Sequence, residues 1–172
     1  MNRGTIILLA VAFIVIAAGW GIRVYQVNVD VAKSYEIQMH KKGERVAFEN
    51  VALEVKDFHY GEEQKEEGYE FVPVEMEMEI INESEKNLSI IKVIESKLAF
   101  GMDYYQTIEG DFDVEKLRNL PPETKTNITL IFNVKPEYKN KKAKLYIDQS
   151  LYSSEVKEKY KKGKRLGIAI EL

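Results

Sequence analysis

YEFVPVEMEMEII, residues Tyr69 to Ile81, alternates strictly from Val72 onward. Val72, Val74, Met76, Met78 and Ile80 fall on one side, and Glu75, Glu77 and Glu79 on the other. A period of two belongs to a β-strand with one dry and one wet face; a helix would scatter the same residues around its axis. Alternate strand positions lie about 7 Å apart, a spacing that the paired carboxylates of glycosidases also use. Three glutamates in a flat, hydrated row are nonetheless read here as sheet surface.

The same pattern recurs on either side. In Thr124 to Pro136, Ile128, Leu130, Phe132 and Val134 oppose Asn127, Thr129, Asn133 and Lys135, with Ile131 the exception. Arg45 to Tyr60 is β-rich, Val51, Leu53 and Val55 alternating with Ala52, Glu54 and Lys56. Leu145 and Ile147 point inward from Ala143 to Asp148, and Leu166, Ile168, Ile170 and Leu172 alternate again. Leu88 to Phe100 is β-prone, and Met102-Asp103-Tyr104-Tyr105 reads as a turn entering an aromatic strand. Gly61 to Gly68 and Asn82 to Asn87 are polar connections. Val114 to Leu120 reads as a short helical turn stopped by Pro121-Pro122. Tyr152 to Arg165, with Val156 and Tyr160 at i,i+4, fits either a helical turn or a long hairpin. Roughly seven or eight short β segments between polar turns argue for an all-β sandwich or barrel.

Ahead of these strands stands TIILLAVAFIVIAAGWGI, residues Thr5 to Ile22, uncharged and bracketed by Arg3 and Arg23. As a helix rising about 1.5 Å per residue it spans roughly 27 Å, against about 30 Å of bilayer hydrocarbon. The expectation is an uncleaved transmembrane anchor, with Trp20 and Tyr25 in the interfacial aromatic belt. A cleaved signal peptide, leaving a secreted protein, is the alternative. Arg3 and the small residues Ala17-Ala18-Gly19 suit it, but the run exceeds a signal's apolar core of about 7 to 15 residues. Arg23, Lys33, Lys41 and Lys42 follow the run, so charge bias does not itself place the carboxyl-terminal part outside. The short amino-terminal tail is that of a signal anchor. The expected organisation is an anchor over residues 1–23, a juxtamembrane linker over 24–43 and a β-sandwich over 44–172. The later part of the linker, Ser34 to His40, is expected to join the sandwich as its first edge strand. The protein is expected in the cell membrane, single-pass, with its carboxyl-terminal domain extracytoplasmic.

Composition narrows the function. With 172 residues there is room for one ordinary domain after the anchor. Twenty-five basic and 28 acidic side chains, net −3, are not those of a domain that reads nucleic acid through its backbone. The absence of cysteine excludes a lipid-modified cysteine, a disulfide scaffold and any thiolate metal site. His40 and His59 are the only histidines, and no nucleophile elbow, phosphate-cradling glycine loop or HExxH is present. A non-enzymatic chain without a cofactor is expected. Asn82-Glu83-Ser84, Asn87-Leu88-Ser89 and Asn127-Ile128-Thr129 match the glycosylation acceptor pattern, as short triplets readily do by chance.

Three segments together resemble a known family: AFENVALEVKDF (Ala47 to Phe58), FVPVEMEMEIINESEKNL (Phe71 to Leu88) and LPPETKTNITLIFNVKPEYKNKKAKLYI (Leu120 to Ile147). They are similar to the immunoglobulin-like domain of uncharacterised secreted or membrane-anchored proteins of Gram-positive bacteria, a family itself similar to the mycobacterial immunoprotective extracellular protein. The resemblance covers about Glu44 to Ile147. Pro122-Glu123 stands where the family's turn usually carries glycine, and the family's common signal-plus-cysteine start is absent. The resemblance implies an antiparallel immunoglobulin-like β-sandwich outside the membrane, and no catalytic residue.

The leading functional expectation is a membrane-tethered, non-catalytic β-sandwich acting in protein or cell-envelope interaction, with the bilayer engaged through Thr5 to Ile22. The alternatives are a ligand- or cation-binding sensor or accessory domain, and an accessory subunit of a membrane complex. Asp103, Asp111 and Asp113, beside Glu109-Gly110, are the candidate cation ligands, although calcium takes about six to eight oxygens and the helix–loop–helix pattern is absent. Lys157, Lys159, Lys161, Lys162, Lys164 and Arg165 form the one basic cluster. It is read as a solvated loop, with contact to anionic lipid or cell-wall polymer as the functional alternative.

Overall fold

A computed structural model describes residues 2–29, 31 and 34–172. Helix α1 (Arg3–Asn28) buries none of its side chains; Phe13 is 72% exposed and Trp20 71%. It continues past Arg23, where the linker was expected to begin, because no glycine or proline interrupts the segment. Asn28 Nδ2 then turns back to the Val24 carbonyl at 2.7 Å. Of the expected linker, residues 30, 32 and 33, with Lys33 among them, lie outside the described residues.

Among the described residues eleven strands follow. They are β1 (Ser34–Lys41), β2 (Val46–Phe48), β3 (Val51–Tyr60), β4 (Gln64–Glu66), β5 (Tyr69–Asn82), β6 (Lys97–Phe100), β7 (Asp103–Gln106), β8 (Glu109–Asp111), β9 (Lys125–Val134), β10 (Lys144–Tyr146) and β11 (Lys164–Glu171). Helix α2 (Val114–Arg118) precedes β9 and helix α3 (Ser153–Lys161) precedes β11. The first sheet has the order β1-β11-β10-β6-β7, and the second β2-β3-β5-β9-β8 with β4 paired to β5. Their facing sides form one core. Val72, Val74, Met76, Met78 and Ile80 of β5 and Ile128, Leu130, Phe132 and Val134 of β9 meet Leu98, Leu145, Leu166, Ile168 and Ile170 of the first sheet. Apart from Leu98, these are the residues that alternation assigned to the dry side.

One pairing corrects the expectation of a wholly antiparallel sandwich. Strand β1 lies parallel to β11, from Ser34 beside Lys164 to Lys41 beside Glu171, so the first sheet is mixed. Parallel neighbours need a long connection, and here the whole domain separates the two strands. Strand β3 carries a second departure from simple alternation. A register shift between Val55 and Asp57 makes a bulge at Lys56, and this returns Phe58 and Tyr60 to the core side.

Leu88 to Phe100 is only partly strand. Its middle is a 3-10 turn, Ile91–Glu95, that buries Val93 while Ile90 N–H bonds the Leu117 carbonyl. This segment carries the chain from the second sheet to the first, where a packed turn spans the gap that a strand could not. Beneath it lies the buried side chain of Asn82. Its amide donates to the carbonyls of Lys86, Leu120 and Pro121 at 2.8, 2.9 and 3.0 Å, and its Oδ1 accepts from the N–H and hydroxyl of Ser84. The Asn82-Glu83-Ser84 triplet is therefore an internal turn, with no free amide to modify. Glu123, in the turn where the resembled family carries glycine, takes φ 53° in the left-handed region.

The region Tyr152 to Arg165 adopts the helical alternative. Glu49, in the β2–β3 turn, accepts the N–H groups of Ser154 and Glu155 at the start of α3. Gly163, at φ +77°, ends the helix, and its carbonyl receives the N–H of Ser34. With Val156 packed on the core, α3 closes one end of the sandwich from the second sheet to the first.

Candidate functional site

The outward side of the first sheet is the unusual surface. On β1 the apolar set faces solvent, Tyr35, Ile37 and Met39 being 73%, 45% and 42% exposed, while Glu36, Gln38 and His40 face the sandwich interior and are half-buried. Ile37 lies beside Gly167 and Met39 beside Ala169, and Tyr146 lies opposite Ala169 in turn. On the far strands Ala99 opposes Tyr104, whose ring sits 5.9 Å from that of Tyr146. Gly167 and Ala169 of β11 thus floor a shallow trough between Ile37 and Met39 of β1 and Tyr146 of β10; Ala99 lies beyond Tyr146 on β6, beside Tyr104, and Lys97, Lys144 and Glu171 share the same outward side.

The outward side of the second sheet is different in kind. Glu79 is held by Lys125 at 2.7 Å and Lys56 at 3.5 Å, and His59 lies between Asp57 at 3.5 Å and Glu75 at 3.3 Å. This is the charged sheet surface read from the glutamate row. The outward side of the first sheet instead mixes exposed aliphatic and aromatic side chains with Lys97, Lys144, Arg165 and Glu171, a composition suited to contact.

The trough opens into a cleft of about 440 Å³ at the end where β1 and β11 finish. Lys41, Lys42, Lys142 and Lys144 line it, with Ala99, Gly101, Ala143, Tyr146, Glu171 and Leu172. Glu171 lies between Lys41 and Lys144 in register, and Lys42 reaches Asp57 at 3.4 Å. Four ammonium groups around an alanine and tyrosine wall suit a carboxylate or phosphate group on a partly apolar ligand. Sequence reading missed both trough and cleft, because their residues come from strands far apart in the chain. The alternation of Tyr35, Ile37 and Met39 was the one visible signal.

The three candidate aspartates do not converge. Asp103, on β7, accepts from Lys135 Nζ at 2.7 Å and Tyr138 OH at 2.8 Å, and the lysine contact holds its carboxyl below the usual range. Tyr138 in turn stacks on Phe100 at 4.7 Å. Asp111 sits on β8, a strand where a solvated loop was expected, opposite Thr129. Asp113 caps α2, its Oδ1 accepting the N–H groups of Glu115 and Lys116. Among the described residues no group of three or more His, Asp or Glu side chains could hold a metal ion. The two histidines stand on different sheets.

The basic cluster divides. Lys159 and Lys164 both bind Glu36, Lys162 pairs with Glu158 at 2.5 Å, and Arg165 lies over Tyr35 and bonds its hydroxyl at 3.0 Å. Lys157 and Lys161 have no carboxylate partner among the described residues. The Lys159 bond, followed by that of Lys164, holds Glu36 at about 2, well below its usual 4.5. Because the folded value is the depressed one, the contact contributes fully above about pH 4.5 and is lost as pH falls toward 2. Hydrogen exchange across that window is therefore expected to show α3 losing protection before β5 and β9. Glu36→Gln should leave the protection of α3, relative to intrinsic exchange, independent of pH across that window, and an unchanged protection profile in that variant would assign the acid step elsewhere.

No family model matches this sequence, and no curated protein matches it. Solved structures do. An uncharacterized β-sandwich protein from Clostridium difficile 630 superposes with a TM-score of 0.56 at 9% identity, over 81% of this chain and 97% of its own. The yjhA protein from Bacillus subtilis gives 0.51 at 19%, over 78% and 99%. A functionally unknown protein from Listeria monocytogenes EGD-e gives 0.50 at 14%, over 67% and 76%. All three are from Gram-positive bacteria, and at these identities the likeness is one of fold.

Proposed function

We propose that the protein is a non-catalytic, membrane-tethered β-sandwich whose domain lies outside the cytoplasm and engages a protein or cell-envelope partner through the outer face of its first sheet. The observation that carries the interaction is the orientation of β1, with its apolar residues outward and its polar residues inward. Exposed aliphatic and aromatic side chains beside a floor of small residues form a contact surface, whereas polar side chains would keep such a face solvated. Tethering is supported by α1, whose uncharged run matches a bilayer in length and is covered by nothing in the domain.

We also read the sandwich as immunoglobulin-like. The orders β3-β5-β9-β8 and β11-β10-β6-β7 correspond to strands A-B-E-D and G-F-C-C′ of that fold, with β1 and β2 added at the edges. This correspondence and the three resembling segments support membership of the Gram-positive family similar to the mycobacterial immunoprotective extracellular protein. A second reading, a ligand-binding accessory domain, is favoured by the lysine-lined cleft, which suits an anion better than a cation.

Photo-crosslinking in intact cells tests the interaction. A photoreactive residue at Met39 or Tyr104 should trap one discrete partner, and the same residue at Glu77 on the opposite outer face should not. Equal trapping at all three positions, or none at any, would remove the interaction face.

A further inference from the structure

We infer that α3 and the start of β11 form a basic surface that rests on the anionic phospholipid headgroups of the bilayer holding α1. The inference builds on the membrane-anchor reading and adds what the domain itself does there. Helix α1 ends at Asn28 and β1 begins at Ser34, so only residues 29–33 separate them. Even fully extended, the six Cα steps from Asn28 to Ser34 reach no more than about 22 Å. Counting the six residues of α1 beyond Ile22, about 9 Å of helix, the Ser34 end of the sandwich is therefore kept within about 30 Å of the bilayer run.

What lies there is α3. Ser34 bonds Gly163 directly after the helix, and β1 runs away from this end beside β11. On α3, Val156 and Lys159 face the domain, one packed on the core and the other bound to Glu36. Lys157 and Lys161, at i,i+4, are exposed on the side turned away, and Tyr160 beside them is 42% exposed. Tyr35, 73% exposed under Arg165, adds a second aromatic at the same end. Tyrosine among lysines is the composition of a membrane–water interface. Residues 153–165 with Glu36 and Glu49, which contact them, hold six cations and four carboxylates, net +2 in a chain of net −3. Five of these six cations are exposed at the end that the tether brings to lipid, whereas the lysines of the cleft, Lys41, Lys42, Lys142 and Lys144, lie at the opposite end. A cell-wall polymer could be met anywhere on the domain; only headgroups are confined to this end.

The full chain, free of native cysteine, permits a direct test. Ser154→Cys places an environment-sensitive fluorophore on the outward side of α3, and Met102→Cys, 88% exposed beyond the far end of β6, serves as control. Both are reconstituted in phosphatidylcholine vesicles with or without phosphatidylglycerol and containing a headgroup spin label. The expected result is strong quenching at position 154 only with phosphatidylglycerol, relieved by high salt, with position 102 unquenched. Lys157→Gln with Lys161→Gln should weaken the surface-bound population about thirtyfold. Quenching at 154 that is independent of phosphatidylglycerol, or unchanged in the double variant, would overturn the headgroup contact. Carbonate extraction of the same vesicles separates the two readings: a chain that washes out removes the anchor, and the headgroup contact with it.

Discussion

Asn82→Asp is expected to destabilise the domain by about 4 kcal/mol, the summed order of a lost amide donor set and a buried unpaired charge. The wild-type amide points two N–H bonds at three carbonyls, those of Lys86, Leu120 and Pro121, in a site with no solvent exposure. A carboxylate there would face three oxygen atoms with nothing to donate. Those carbonyls belong to the turn after β5 and to the segment entering β9, so the substitution loosens the joint between two central strands. For a domain of this size the melting temperature should fall by about 10 °C or more. Asn87→Asp, exposed five positions along, should change stability by less than about 0.5 kcal/mol. The domain lacks tryptophan, the single one being Trp20 in α1, so unfolding is best followed by tyrosine circular dichroism. Equal stability of the two variants would contradict the central place given to the Asn82 network.

Phe132→Ala should cost about 4 kcal/mol for a different reason. Phe132 lies on β9 between β5 and β8, opposite Val74, and is completely buried. Truncation removes its transfer free energy and leaves a cavity that two rigid sheets cannot collapse around. Ile131→Ala, one residue away on the outward side of the same strand and only half-buried, should cost less than about 1.5 kcal/mol. Denaturant titration reads both, as a lowered midpoint with an unchanged slope. A small loss at 132 with a large one at 131 would mean that β9 is turned over.

Much of this architecture is legible before any coordinate is known. In β5 and β9 the alternation of apolar and polar residues marks the dry face directly, because a strand buried on one side has no other period available. Thr5 to Ile22 is equally plain. Less legible is anything that depends on partners distant in sequence. Nothing local in SYEIQMH tells that β1 will lie parallel to the final strand, or that Tyr35, Ile37 and Met39 will turn outward. The bulge at Lys56 is visible only in hindsight, as the change of apolar parity between Val55 and Phe58. Asp103, Asp111 and Asp113 looked adjacent because eleven residues of chain contain them, yet β7, β8 and the cap of α2 send them to different neighbours. Asn82 looked like a turn residue, and its burial follows from the Leu88–Leu120 bridge that closes over it.

The most direct measurement on the proposal as a whole is cysteine accessibility combined with carbonate extraction, since no native cysteine interferes. Single variants Asn2→Cys and Met102→Cys, in intact cells, are treated with a membrane-impermeant maleimide before and after lysis. A tethered domain outside the cytoplasm gives a carbonate-resistant chain, labelled at position 102 in intact cells and at position 2 only after lysis. Labelling at position 2 in intact cells with position 102 protected, or recovery of the chain in soluble form, would contradict it.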